Sequence, residues 1–90
     1  MKRVHIVLSG KVQGVSLRDY VRKEAEKRRI SGFVRNLHDG TVEVVGEGDE
    51  DRLNEFIREC KRGPLLAFVK KADLKFEEPT QEYDGFSIRF

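Results

Sequence analysis

The nine residues from Gly10 to Arg18, Gly-Lys-Val-Gln-Gly-Val-Ser-Leu-Arg, constrain the fold of this chain more than any other stretch. They follow an alternating apolar run (Val4, Ile6, Leu8) that predicts a strand, and they precede apolar residues at helical spacing. Strand, two-glycine loop and helix start therefore follow one another. A helix N-terminus has unpaired N–H groups and a positive dipole end, and glycines let the backbone approach a ligand closely. The stretch predicts a small-anion site, but its glycine spacing and missing Gly-Lys-Ser/Thr exclude a nucleotide P-loop.

The composition is that of one small, charged domain. Ninety residues suffice for a single core, and 18 basic against 16 acidic residues give a net charge of +2, too balanced to indicate nucleic acid binding. The lone cysteine, Cys60, excludes an internal disulfide and favours a reducing cytoplasm. No apolar run reaches the roughly 18 residues of a membrane span, and no export signal is recognisable. Many Lys, Arg and Glu with two Asn and two Gln are typical of heat-adapted proteins.

The segment after the loop predicts a helix. Ser16 is the expected N-cap, and Asp19 three residues later completes a Ser-x-x-Asp capping pattern. One apolar stripe along this helix is formed by Leu17, Tyr20, Val21 and Ala25. We expect the helix to end before Ser31-Gly32.

The rest of the chain predicts four more strands and a second helix. Short strands are expected over 33–37 and 41–47, joined by an Asp39-Gly40 turn that supplies the positive φ angles of a tight hairpin. Acids at 49–51 begin the second helix, whose apolar stripe is Leu53, Phe56, Ile57 and Cys60. Alternation then predicts strands over 68–76 and 86–90. This order predicts one α+β domain over residues 1–90, a ferredoxin-like βαββαβ sandwich: an antiparallel sheet, two helices on one face and a short C-terminal strand.

Two polar residues are the candidates for chemistry. Arg18 stands beside the loop N–H groups, where a guanidinium offers paired donors to a phosphate, although an arginine on a helix is often only solvated. Asn36 lies inside a strand, where asparagine is disfavoured, and alternation places it on the face of Val34. Its amide has an acceptor and two donors that could hold a water, or it simply prepares the following turn.

Other reactive residue types suggest no second site. His5 and His38 have no carboxylate or cysteine at metal-ligand spacing, so we expect no metal. Cys60 continues an apolar stripe and is predicted to be core rather than a nucleophile. Lys11 is expected to be solvated. No Ser/His/Asp or Cys/His arrangement is evident.

Residues 10–18 resemble the acylphosphatase signature Gly-x-Val-Gln-Gly-Val-x-Phe-Arg. A second family motif is matched by residues 32–36, Gly-Phe-Val-Arg-Asn, with residues 39–43, Asp-Gly-Thr-Val-Glu. The Glu47-Gly48, Gly63-Pro64 and 85–88 elements also fall where the family has them, so the resemblance covers nearly the whole chain. It departs at Leu17, where the family usually has phenylalanine, and at Leu65, where a second proline is common.

The resemblance implies a ferredoxin-like fold and hydrolysis of acyl phosphates to a carboxylate and phosphate, without cofactor or metal. By motif position, Arg18 would bind the phosphoryl group and Asn36 would position the attacking water. The phosphate-binding loop would consist of Gln13, Gly14, Val15, Ser16, Leu17 and Arg18. The implied partners are an acyl phosphate and inorganic phosphate, with no nucleic acid and no membrane, and we expect a cytoplasmic monomer. Leu17 is the position at which we expect altered packing beneath the loop.

The small number of candidate groups agrees with this chemistry. The leaving group of an acyl phosphate is a carboxylate, whose conjugate acid has a pKa of roughly 4, so it leaves at neutral pH without protonation. No general acid is then needed, and positioning and charge stabilisation suffice.

Two other functions remain open at this stage. One is an RNA-binding module of the same fold, although Phe33 lacks the aromatic pattern of RNA-recognition sheets around it. The other is a non-catalytic, anion-binding regulatory domain that keeps the loop but has lost hydrolysis through the change at Leu17.

Overall fold

A computed structural model describes residues 1–90, and its elements follow in the order βαββαββ. The strands are β1 (Lys2–Lys11), β2 (Ser31–Asn36), β3 (Val42–Gly48), β4 (Phe68–Glu77) and β5 (Phe86–Arg89). The helices are α1 (Leu17–Lys27) and α2 (Glu50–Arg62). Every predicted element is present, and the α+β ferredoxin-like arrangement is confirmed. Neither helix is long and apolar enough to cross a membrane.

The five strands form one sheet in the order β4-β1-β3-β2-β5. All neighbours are antiparallel except β2 and β5, which run parallel, with Gly32 opposite Phe86 and Val34 opposite Ile88. The predicted antiparallel sheet is confirmed for the first four strands, and the short C-terminal strand β5 adds one parallel pair. The reason is that β4 and β5 lie at opposite edges, so residues 78–85 pass along one end of the sheet before β5 enters beside β2.

Both helices cover the same face of the sheet and enclose the core. Alternate strand residues on this face are fully buried, among them Ile6, Val34 and Val44. The predicted α2 stripe is confirmed, since Leu53, Phe56, Ile57 and Cys60 are all buried. In α1, Tyr20 is only half-buried, and its hydroxyl donates to a carboxylate oxygen of Glu59 at 2.5 Å, which links the two helices.

A buried carboxylate holds the long connection between β4 and β5. Glu47 at the end of β3 is fully buried and accepts hydrogen bonds from Arg3 Nη1 at 2.8 Å and from the backbone N–H groups of Thr80 and Gln81, each at 2.9 Å. The Thr80 hydroxyl also donates to a Glu47 carboxylate oxygen, at 3.1 Å. Burial alone would raise the pKa of Glu47, but these hydrogen bonds outweigh it and hold the pKa below the ordinary glutamate value.

Candidate active site

The loop between β1 and α1 has a backbone suited to binding an anion. Gly14 and Ser16 have positive φ angles of 70° and 61°, whereas the residues between and beside them do not. Alternation of this kind turns successive N–H groups toward one side of the chain. None of the backbone N–H groups of residues 13–18 donates to an acceptor within the protein. Six consecutive N–H groups thus have no acceptor within the chain.

Ser16 stands at the N-cap position of α1, but the predicted capping box is wrong. Its side chain makes no capping hydrogen bond, because its left-handed conformation replaces the extended one that a capping serine normally has. The Asp19 carboxylate instead contacts Arg22 at 2.7 Å and Lys23 at 3.1 Å. Because no side chain caps this helix, its first N–H groups remain free.

Apolar side chains anchor the loop from beneath. Val12 and Leu17 are each 1% exposed and Val15 is 8% exposed, and all three belong to the main core cluster. Leu17, at the position where the resemblance raised a question, is therefore packed in the interior like its neighbours. The loop has side chains fixed in the core on both sides of Gly14.

The side chain of Gln13 connects the loop to the β2–β3 hairpin. Its Nε2 atom donates to the carbonyl oxygens of Leu37 and Thr41, each at 2.9 Å. The hairpin is itself closed by Leu37 N–H donating to the Thr41 carbonyl at 2.9 Å, and Asp39 accepts from the Thr41 hydroxyl at 2.6 Å. The sequence predicts only a backbone role for Gln13, because no neighbouring residue indicates the distant partners of its side-chain amide.

Arg18 and Asn36 line the same pocket. The pocket has a volume of about 160 Å³ and opens beside the loop. Its lining consists of Val12, Gly14, Ser16, Leu17, Arg18, Asp19, Asn36, Ile88 and Phe90. The fold thereby brings the start of α1, which carries Arg18, next to the end of β2, which carries Asn36.

Phe90 is a pocket residue that sequence analysis missed. The Cζ atom of Arg18 lies 4.8 Å from the centre of the Phe90 ring, within the range of a cation–π contact. The alternation of residues 86–90 placed Phe86, Ile88 and Phe90 on one face, but Phe86 is buried and Phe90 is fully exposed. The pattern gave no indication that the last of these rings would stand against Arg18.

The charge around the pocket favours an anion. Arg18 forms no ion pair, because the neighbouring Asp19 carboxylate is engaged by Arg22 and Lys23, which lower its pKa. Lys11, predicted to be solvated, is exposed at the end of β1. The guanidinium of Arg18 thus has no carboxylate competing with a ligand.

The other reactive side chains lie elsewhere. His5 Nε2 contacts a Glu43 carboxylate oxygen at 2.7 Å on the sheet face that the helices leave open, a contact that their separation in sequence concealed. Cys60 is fully buried, as predicted, and burial raises the pKa of its thiol. No three His, Cys, Asp or Glu side chains group together in a way that could hold a metal ion.

Comparison with known proteins identifies the family. The acylphosphatase family profile matches residues 4–88. The chain is 43% identical over 89 residues to an acylphosphatase of Caldivirga maquilingensis, covering 98% of this chain and 94% of that protein. It is 44% identical over 88 residues to one from Roseiflexus, covering 98% and 95%. The crystal structure of acylphosphatase from Bacillus subtilis superposes with a TM-score of 0.96 at 34% identity, with full coverage of both chains. The chain therefore belongs to the acylphosphatase family and is an acylphosphatase enzyme.

Proposed function

We propose that this enzyme hydrolyses acyl phosphates with Arg18 and the loop N–H groups binding the phosphoryl group and Asn36 positioning the attacking water. The observation that carries this assignment is the pocket itself. The pocket is lined by Arg18 and Asn36. It is bordered by a loop whose six backbone N–H groups have no hydrogen-bond acceptor in the chain. A phosphoryl group has three oxygens that need such donors, and charged acceptors make these hydrogen bonds strong.

The loop and Arg18 stabilise negative charge on the phosphoryl oxygens. The positive end of the α1 dipole adds to the N–H groups, and the guanidinium supplies a full charge in a flat, two-donor geometry. These groups stand in place before substrate arrives, because Val15 and Leu17 fix the loop in the core. Preorganised donors of this kind stabilise a transition state without reorganising during the reaction.

Asn36 supplies the water-binding group. Its carboxamide lies at the end of β2, next to the hairpin that Gln13 ties to the loop. An amide can accept from a water and donate to a phosphoryl oxygen at the same time, which would align the water with phosphorus. Water then attacks phosphorus, the bond from phosphorus to the acyl oxygen breaks, and the carboxylate and inorganic phosphate leave.

The reaction as proposed needs neither a general acid nor a metal ion. The carboxylate leaving group is stable at neutral pH, so no proton has to be delivered to it. The only acidic side chain lining the pocket is Asp19, and two cations engage it. The positive charge that a metal would bring is supplied here by Arg18 and by the helix N-terminus.

The two alternative functions are less well supported by the geometry. RNA-recognition sheets need exposed aromatic rings, but Phe33 is 6% exposed and the Arg89 Cζ atom covers its ring at 3.9 Å from the centroid. A regulatory domain that had lost hydrolysis through Leu17 would be expected to show a disturbed loop, whereas Leu17 is buried in the core. A cytoplasmic location and heat stability remain predictions from composition.

Turnover of benzoyl phosphate is the experiment that tests the proposal. We expect hydrolysis that a chelator leaves unchanged and that inorganic phosphate inhibits competitively. Binding of phosphate without turnover would support the regulatory alternative instead, and salt-dependent retention on RNA would support the nucleic acid alternative. Loss of activity on chelation, restored by a divalent cation, would contradict the metal-free mechanism.

A further inference from the structure

The turn that joins α2 to β4 carries two exposed leucines. The N–H group of Ala67 donates to the Pro64 carbonyl oxygen at 3.1 Å, which closes a turn with Leu65 and Leu66 at its two central positions. Such positions usually hold glycine, asparagine, aspartate or serine, which adopt turn conformations or hydrogen-bond to the backbone. Here Leu65 is 97% exposed and Leu66 is 69% exposed. These two leucines form the apolar tip of the turn, and adjacent exposed apolar side chains of this kind are open to a ligand.

Both ends of this turn lie against the loop that borders the pocket. Gly63, just before the turn, is buried, and a Cβ atom added to it would lie 3.7 Å from Leu17 Cδ1. Phe68, just after the turn, pairs with Lys11, the last residue of β1 before the loop. The apolar tip is therefore held at the same end of the sheet as Arg18.

The proposed water site sets the direction in which the acyl group leaves. In phosphoryl transfer the attacking and leaving oxygens lie roughly in line, on opposite sides of phosphorus. Water held by Asn36 attacks from the side of β2, so the acyl oxygen departs away from β2. In the sheet order β4-β1-β3-β2-β5, the strand beyond β1 on that side is β4. The acyl group is therefore directed toward the turn that precedes β4.

The distance to the apolar tip selects for the length of the acyl group. A phosphoryl group held between the loop after β1 and Asn36 of β2 lies at the level of β3, two strand spacings or roughly 10 Å from β4. An extended chain of about eight carbons covers that distance, because a carbon–carbon bond is about 1.5 Å long. An acetyl group is too short to contact the leucines.

The charge around the apolar tip suits an anion with an apolar tail. Lys11, Lys61 and Lys70 are exposed on the segments that flank the turn, and residues 60–72 include no Asp or Glu. The positive potential of these lysines attracts the phosphate end of a substrate to this end of the molecule. The leucines then offer the apolar end a surface that is free of charge.

We propose, on the basis of the function proposed above, that Leu65 and Leu66 bind the acyl group, so that this enzyme prefers acyl phosphates with extended apolar chains. The two leucines contact only the far end of the leaving group, so they determine specificity and take no part in breaking the bond to phosphorus. Full burial of one CH2 group improves binding about fourfold, and a chain that lies on an open surface gains a fraction of that. Six additional carbons should therefore raise kcat/KM by about tenfold in total.

Steady-state hydrolysis of acetyl, butanoyl and octanoyl phosphate tests the chain-length preference. We expect the wild-type kcat/KM to be about tenfold higher for octanoyl than for acetyl phosphate, and the double variant L65N/L66N to bring that ratio to within about twofold of one. Asparagine is accepted in turns and both positions are exposed, so the variant should fold. Phe76→Thr is the matched control, because it removes an exposed apolar side chain at the opposite end of β4 and should keep the wild-type ratio.

Acetyl phosphate turnover by the wild type, measured in the same series, reports on the proposed function separately. If none of the three substrates were hydrolysed, the proposed function and the acyl-binding role of the leucines would both be overturned. Equal kcat/KM values for the three substrates would overturn the acyl-binding role alone. So would a chain-length preference that L65N/L66N retains, because another surface would then hold the acyl chain.

Discussion

The amide nitrogen of Gln13 lies 2.9 Å from the carbonyl oxygen of Leu37, so the loop between β1 and α1 is hydrogen-bonded to the residue that follows Asn36. The same nitrogen donates to the Thr41 carbonyl across the hairpin at 2.9 Å. One side chain therefore joins the two elements that carry Arg18 and Asn36. We infer that Gln13 is a positioning residue that sets the distance between the proposed phosphate-binding loop and the proposed water-binding residue Asn36.

Replacing Gln13 by alanine should lower kcat about tenfold while costing only about 1 kcal/mol of unfolding free energy. The stability loss is small because both carbonyls keep a backbone donor, Gly40 N–H for Leu37 and Leu37 N–H for Thr41. The kinetic loss is larger, because small misplacements of catalytic groups are costly. Benzoyl phosphate kinetics and urea unfolding measure the two effects. Equal kcat in Q13A and wild type would contradict the positioning role.

Replacing Arg18 by alanine should remove phosphate binding together with turnover. The guanidinium has no carboxylate partner in the chain, so its charge is free for the ligand. Loss of two charge-assisted hydrogen bonds raises the inhibition constant of inorganic phosphate about 100-fold or more. Arg58→Ala is the matched control, because Arg58 is exposed on α2 and away from the pocket. An R18A variant inhibited by phosphate as strongly as wild type would refute the assignment.

Replacing Asn36 by alanine should lower kcat and leave phosphate affinity nearly unchanged. The proposed role of Asn36 is to orient water, and losing one positioned group typically costs about 10²–10³ in rate. The inhibition constant of phosphate should stay within about threefold of wild type. Asn54→Ala removes an exposed amide of α2 and controls for the substitution itself. Wild-type kcat in N36A would show that another group holds the water.

Local sequence patterns predicted most of the fold, because each helix and strand follows from its own apolar periodicity. The stripe of α2 is of this kind. The hairpin between β2 and β3 also forms as predicted, but of its two turn residues only Gly40 has a positive φ, 91°, and Asp39 does not. The pairing of β5 was not predictable in the same way, since its parallel direction depends on how residues 78–85 cross the end of the sheet. Nothing in four alternating residues specifies which edge they join.

The parts of the site that escaped prediction are long-range contacts of side chains. Gln13 contacts carbonyls 24 and 28 positions away, and Phe90, directly after β5, contacts Arg18 at the start of α1. Ser16 shows a different failure, because a serine before a helix normally caps it. Here Ser16 has a left-handed backbone, and its side chain makes no capping hydrogen bond to the first N–H groups of α1. The usual preference of serine for capping a helix therefore fails at Ser16, which is a proposed functional position.

Replacing Phe90 by alanine should raise the KM for benzoyl phosphate two- to fivefold. An exposed cation–π contact contributes about 0.5–1 kcal/mol, and we expect the Phe90 ring, 4.8 Å from the Arg18 Cζ atom, to help orient the guanidinium. Phe90→Tyr keeps the ring and should behave like wild type. Because the ring is fully exposed, neither variant should change the unfolding free energy by more than about 0.5 kcal/mol. Identical KM values in F90A and F90Y would show that the ring does not act on Arg18.

Replacing Glu47 by glutamine should lower the unfolding free energy at pH 7 by about 2 kcal/mol or more. The buried carboxylate accepts from Arg3, Thr80 and Gln81, and an amide cannot accept all of these bonds. The folded-state pKa of Glu47 lies below the ordinary glutamate value that it has in the unfolded chain. Its stabilisation is therefore complete above that value and is lost as the pH falls through the folded-state pKa.

Urea unfolding of wild type and E47Q between pH 2.5 and 7 measures this dependence. We expect the difference between their unfolding free energies to be constant above about pH 5 and to shrink on acidification, because protonation removes the charge that the substitution removes. Glu78→Gln is the matched control, since Glu78 is an exposed neighbour in the same segment with no hydrogen-bond partner. A difference that stays constant down to pH 2.5 would mean that the charge of Glu47 does not hold the 78–85 segment on the sheet.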